Sequence, residues 1–158
     1  GGADARAAAA LAALLERPQC RRGFVLEGLP STAAQAQTLA EALERRGTPL
    51  EAAVFLEAPE ETLLRRCRGR LLHGPSGRRY HEEFKPPMEE GLDDFTGEAL
   101  ENAAYDEARL QRECQGYREH GALVLEFFKR RGLAQVVSAA GSADEVTAAC
   151  SEAVRKKS

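Results

Sequence analysis

Apolar positions fall into short runs separated by turn-forming residues, and the spacing inside each run predicts its secondary structure. Ala3–Glu16 is almost wholly Ala and Leu with three charges, a helix that Pro18 ends. GFVLEG (Gly23–Gly28) is an apolar stretch bounded by glycines, which predicts a buried central strand, and GLPST (Gly28–Thr32) turns the chain at its end. Thr32 then caps a helix over 33–46, with Ala36, Leu39, Ala40 and Leu43 at helical spacing and Gly47 closing it. Leu50–Ala58, with Val54, Phe55 and Leu56 at its centre, predicts a second buried strand. Pro59-Glu60-Glu61 opens the next helix, placing acids on the positive end of its dipole. From Leu71 to about Leu100 the periodicity is broken by Gly74, Pro75, Gly77, Pro86, Pro87, Gly91 and Gly97, so this stretch is a compact, loop-rich insertion. Helix returns over Asn102–Arg131, with Tyr117, Leu123, Leu125, Phe127 and Phe128 as apolar anchors and Gly132 as the stop. Ala134–Ser138 predicts a third strand, and Ser142 with Glu145 forms a capping box for a last helix to about Arg155.

Strands alternating with helices imply an α/β fold, a parallel sheet covered by helices on both faces. The expected organisation is a partial core over 1–70, an insertion over 71–101 and the rest of the core over 102–158. Three strands are few for a sheet that normally has about five, so the pattern reads as a sheet without its beginning. Neither G-x-x-x-x-G-K-[ST] nor G-x-G-x-x-G occurs in the chain. The first residues, Gly-Gly-Ala-Asp, carry no Met and no signal segment, and the expectation is a piece cut from something longer.

Composition narrows the function classes. The 158 residues carry 22 Lys and Arg against 25 Asp and Glu, a net charge of −3, which excludes coating nucleic acid through bulk charge. No apolar run approaches the ~20 residues of a membrane span. The four cysteines, Cys20, Cys67, Cys114 and Cys150, are scattered without a C-x-x-C pair, so they read as free thiols in a reducing, cytoplasmic setting.

The chemistry-bearing residues lie in two blocks. The first, GFVLEGLPST (Gly23–Thr32) followed by Gln35, resembles the G-F-x-L-D-G-F-P-R-T-x-x-Q block of adenylate kinases. The second spans GRLLHGPSGRRYHEEFKPP (Gly69–Pro87) and GLDDFTGE (Gly91–Glu98), and is similar to the lid of the long-lid members of that family. The resemblance implies a P-loop-kinase-like parallel sheet with a small β-rich lid insertion, here lacking the first strand and the P-loop. Gly28, Ser31 and Gln35 would then contact the nucleoside monophosphate, although Ser31 stands where the family has an Arg that clamps phosphate and Glu27 where it has an Asp.

In some relatives the lid is folded round zinc by four Cys, whose positions correspond here to His73, Ser76, Asp93 and Thr96. These match the metal-free version, in which a hydrogen-bond network replaces the metal. A zinc site from His73, Asp93 and His81 is the alternative, disfavoured because it holds no thiolate. Six arginines, Arg65, Arg66, Arg68, Arg70, Arg78 and Arg79, fall within fifteen residues. Taken alone they form a solvated helix face or a weak RNA patch. With the resemblance, Arg66 covers the ATP adenine, Arg70 reaches its phosphates as the catalytic cation, Arg79 and Tyr80 line the nucleotide, and the Gly141 backbone lies against the adenine.

Two further family arginines fall at Asn102 and Glu113, or at Arg112 with a one-residue slip, and an acidic pair falls at Ala104-Tyr105. The implied function is nucleotide binding with ATP, AMP and magnesium, the parent reaction being ATP + AMP to two ADP, in a chain expected to be inactive by itself. Its expected partners are these nucleotides and either the N-terminal remainder of a parent or another protein chain, with no nucleic acid and no membrane. A degenerate kinase fold kept as an interaction module, for example in a ciliary scaffold, is the other reading.

Overall fold

A computed structural model describes residues 14, 15, 17–103 and 106–156. They form two compact units: one takes in the chain up to Phe55, Gln115–Val136 and the residues from Cys150 on, the other Leu56–Cys114 and Val137–Ala149. The predicted helix over Ala3–Glu16 lies outside the described residues apart from helical Leu14 and Leu15.

In the first unit a 3-10 turn at Pro18–Arg22 leads into Gly23–Glu27. Here the structure corrects the sequence. The segment is extended but pairs with no strand among the described residues. Phe24 and Leu26 pack on a cluster of Leu15, Leu39 and Leu43, while Val25 between them is 96% exposed. The segment therefore buries alternate residues against a helix instead of both faces within a sheet, because no neighbouring strand among the described residues takes up its amides and carbonyls.

That helix is α1 (Ala33–Arg45), started by Thr32, whose side chain accepts the Gln35 amide at 3.2 Å. Its Ala36 admits a close approach of α4 (Ala122–Arg130), and Ala36, Val124 and Phe128 form the second buried cluster. Leu50, Ala53 and Phe55 pack against it, and the Phe128 ring meets those of Phe55 and Phe127 at 6.3 and 5.1 Å.

The sheet has two strands among the described residues, β1 (Ala53–Glu57) and β5 (Ala134–Ser138), in place of the predicted three. Ala53 N donates to Leu133 O at 2.9 Å and Ala139 N to Glu57 O at 2.7 Å, so the strands run parallel. The last helix, α5, spans Ala143–Arg155.

In the second unit α2 (Glu60–Arg68) follows β1, and the chain enters a hairpin of β2 (Arg70–His73) and β3 (Arg78–His81) in antiparallel register, Leu71 opposite Tyr80 and His73 opposite Arg78. Gly77, at φ +71°, turns the hairpin, since a positive φ there strains any residue with a Cβ. β4 (Glu101–Asn102) closes on β2. The predicted helix from Asn102 thus starts later, as α3 (Glu107–Gly116), because Glu101 and Asn102 are drawn into the hairpin by pairing with Leu72 and Leu71. A π-helical turn, Tyr117–Gly121, joins α3 to α4.

Neither buried apolar cluster among the described residues includes a residue of the hairpin or of its 88–100 loop, and a buried carboxylate gathers them instead. Asp93, 1% exposed, receives Arg78 Nε and Nη2 at 2.7 and 2.6 Å in a bidentate pair, the Tyr80 hydroxyl at 2.9 Å, and the amide and hydroxyl of Thr96 at 3.0 and 2.9 Å. Beside it His73, also 1% exposed, donates from Nε2 to Glu98 at 2.7 Å and receives the Ser76 hydroxyl on Nδ1 at 2.6 Å. The tautomer follows from Glu98, whose carboxylate can only accept. Both oxygens of Asp93 and both nitrogens of His73 are thus occupied by protein groups.

The Arg78 hydrogen bonds, opposed by desolvation and aided by Thr96 and Tyr80, hold the Asp93 carboxyl well below its ordinary 3.8. A depressed carboxyl stabilises the fold above its unfolded value and loses that effect as pH falls towards the folded one. Amide-exchange protection at Phe95 and Thr96 is therefore expected to be constant from neutrality to about pH 5 and to decline below 3.8. Asp93→Asn should abolish most of it at pH 7 and converge with the wild type in acid. In the first unit, Phe128→Ala should cost about 3–5 kcal/mol in urea unfolding, because the 2% exposed ring leaves a cavity that Ala36 and Val124 are too small to fill.

Candidate functional site

The arginine run divides by what each guanidinium touches. Three are neutralised within the protein: Arg65 by Glu83 at 3.2 Å, Arg68 by Glu107 at 3.3 Å and Arg78 by Asp93 at 2.6 Å. Arg66, Arg70 and Arg79 have no carboxylate partner among the described residues. Arg66 Nη2 donates to the Gly141 carbonyl at 2.7 Å and Arg70 Nε to the Arg66 carbonyl at 3.2 Å. Arg79 projects into solvent, since the strand alternation that buries Tyr80 turns Arg79 to the other face. The three cations left uncompensated are those that the family resemblance gives to ATP, and planar guanidinium groups with free N–H edges suit phosphate oxygens.

Secondary structure explains each placement. Arg66 sits in the last turn of α2, where a cation is favoured at the negative end of the dipole. Arg70 is the first residue of β2. Gly141 precedes the start of α5, where the predicted capping box forms: Ser142 N and Oγ donate to Glu145 Oε2 at 2.7 and 2.9 Å, and Glu145 N donates to Ser142 Oγ at 3.3 Å. The Ser142 amide, then its hydroxyl, hold the Glu145 carboxyl below its ordinary value. A Cβ on Gly141 would stand 2.6 Å from that carboxylate and push it off the cap.

Tyr80, which the resemblance places beside Arg79 along the nucleotide, is 6% exposed and donates its hydroxyl to Asp93, so its ring lies in the interior of the hairpin. His73, Ser76, Asp93 and Thr96 come together as expected, with Arg78, Tyr80 and Glu98 as members that the four-position comparison did not name. Asn102 lies in β4, and Glu113 pairs with Arg109 at 2.9 Å. Arg112, the one-residue alternative, lies 3.6 Å from Asp106. Ala104 and Tyr105 are outside the described residues.

In the first unit Gly28 has φ +83°, a conformation that favours glycine, and the following Leu29–Pro30 peptide is cis. Ser31 donates both its amide and its hydroxyl to Gln35 Oε1, at 2.9 and 3.0 Å. The Gln35 carboxamide oxygen is therefore engaged in holding the start of α1.

A family model described as the adenylate kinase active site lid matches residues 70–102. An adenylate kinase of Vanderwaltozyma polyspora is 42% identical over 130 residues, covering 82% of this chain and 58% of that protein. One of Lodderomyces elongisporus is 41% identical over 121 residues, 76% of this chain and 48% of its own length. One of Symbiobacterium thermophilum is 37% identical over 142 residues, 89% and 66% respectively. The chain thus spans about half to two thirds of the length of the curated relatives it matches. With the lid match and these identities over most of its residues, the chain belongs to the adenylate kinase family.

Proposed function

We propose that the chain is an adenine-nucleotide-binding part of an adenylate kinase, in which Arg66, Arg70, Arg79 and the Gly141 backbone receive MgATP and Gly28, Ser31 and Gln35 face AMP. The observation that carries this reading is the division of the arginines: three neutralised, three left with N–H groups free for an anion. Phosphoryl transfer depends mainly on positioning and on cancelling charge spread over the phosphate oxygens. Arg70, anchored through Nε to the Arg66 carbonyl, keeps both Nη groups for that purpose. Magnesium arrives bound to the ATP.

The same reading makes the 158-residue chain inactive by itself. Its sequence holds no G-x-x-x-x-G-K-[ST] loop to cradle the β- and γ-phosphates, and Ser31 supplies a neutral hydroxyl, already donated to Gln35, where a phosphate-clamping Arg is the family pattern. Gly23–Glu27 adds support for a second role as an interaction module, since the segment pairs with no strand among the described residues and, with Val25 in solvent, offers an edge to another strand.

Two outcomes test the proposal. MgATP titrated calorimetrically into the full chain should bind, and Arg70→Ala should weaken that binding about tenfold or more while thermal stability is retained. ADP formation from ATP, AMP and magnesium should stay at background in both proteins. No saturable MgATP binding by the wild type would falsify the nucleotide reading.

The hairpin network stands in for a zinc site. Purified chain should contain no stoichiometric zinc by elemental analysis, and chelator should leave amide protection at Phe95 and Thr96 unchanged.

A further inference from the structure

His81, the last residue of β3, has its ring buried between the end of α2 and the turn that follows β3. Its Nδ1 accepts the amides of Glu83 at 3.0 Å and Phe84 at 3.2 Å. That acceptor role leaves the ring proton on Nε2, which donates to the Arg66 carbonyl at 3.2 Å. This carbonyl is among the four that a helix C-terminus leaves without an intrahelical partner. The same oxygen receives Arg70 Nε, so one atom joins His81, Arg66 and Arg70.

Two further contacts tie the ring to its surroundings. It packs against Phe84 at 4.6 Å with the ring planes tilted by 50°, and the Phe84 ring receives the guanidinium groups of Arg65 and Arg66 at 5.2 and 5.8 Å. Glu82 N donates to Gly69 O at 2.8 Å, and a Cβ on Gly69 would stand 2.6 Å from His81 Cε1. Gly69 has φ −93°, open to any residue, so the histidine ring and not the backbone conformation demands a glycine there.

We propose that His81 is a positioning residue for the ATP-directed arginines. Through the Arg66 carbonyl and the Phe84 ring it fixes where Arg66 and Arg70 point, and it locks them to β3, which carries Arg79. The three cations then keep their spacing as one rigid set. His81 itself touches no nucleotide. This role rests on the nucleotide-binding reading above.

The two ring nitrogens can be separated by substitution. Asn places an oxygen near Nδ1 and retains the turn at Glu83 and Phe84 without reaching Arg66, whereas Gln places an amide nitrogen near Nε2 and retains the donor to the Arg66 carbonyl. On the full chain, with MgATP as the calorimetric probe, His81→Asn should lose about tenfold or more in affinity and His81→Gln less than about threefold, while AMP affinity is unchanged in both. A role confined to capping the turn gives the opposite order, Asn better than Gln, and that order overturns the proposal. So does wild-type affinity in His81→Asn.

Gly69→Ala provides a second route. It should lower the thermal midpoint and MgATP affinity in the wild type but add no further loss to His81→Ala, because the clash partner is then gone. Full additivity of the two changes contradicts the proposal. Absence of MgATP binding by the wild type removes the nucleotide reading and this role with it, whereas wild-type binding that His81→Asn leaves intact removes this role alone.

Discussion

An ionised carboxylate withdrawn from water must be matched by donors, and Asp93 is the constraint on which the hairpin region depends. Its two oxygens collect a guanidinium, a phenol, a hydroxyl and backbone amides, which between them pin β3 to the 93–98 turn. A small insertion whose loops are rich in Gly and Pro cannot bury enough apolar surface to order itself. Directional bonds to one anion do that work in place of a core, and the neighbouring His73–Ser76–Glu98 chain extends them.

Strand alternation then converts this interior requirement into an exterior property. Arg78 and Tyr80 face Asp93, so the intervening Arg79 must point away. The same partition recurs along α2 and β2, where Arg65 and Arg68 are spent on Glu83 and Glu107 while the polar partners of Arg66 and Arg70 are main-chain carbonyls. A dense arginine cluster is thereby sorted into structural cations and available ones, and the availability of the second group is a consequence of the pairing of the first. His81 adds geometry to that sorting by joining Arg66 and Arg70 at a single oxygen.

The first unit follows ordinary apolar packing. α1 and α4 meet over Ala36, Val124 and Phe128, and the Thr32 cap with the Ser31–Gln35 bonds fixes where α1 begins. The Gln35 carboxamide oxygen, drawn back onto the Ser31 amide and hydroxyl, ties the residue before the cap to the first turn of α1.

Local chemistry determined much of this from the sequence. The Thr32 cap, the Ser142–Glu145 box, the strands at Val54–Leu56 and Ala134–Ser138, and the loop-rich character of 71–101 each depend on residues within one or two turns of one another, so spacing alone predicts them. His73, Ser76, Asp93 and Thr96 were marked by the family resemblance, not by spacing. What depends on distant partners did not follow from spacing. Gly23–Glu27 has the apolar content of a strand, but a strand exists only where a neighbour accepts its hydrogen bonds, and the segment instead lays Phe24 and Leu26 on α1. That the Tyr80 hydroxyl is donated to Asp93, thirteen residues away, is a contact that no local spacing announces. Asn102 was drawn from a predicted helix into β4 by residues thirty positions earlier. Which arginines are free, and that His81 demands a glycine at position 69, are likewise decided by contacts between residues far apart along the chain, because charge compensation and steric fit depend on three-dimensional neighbours that sequence spacing does not encode.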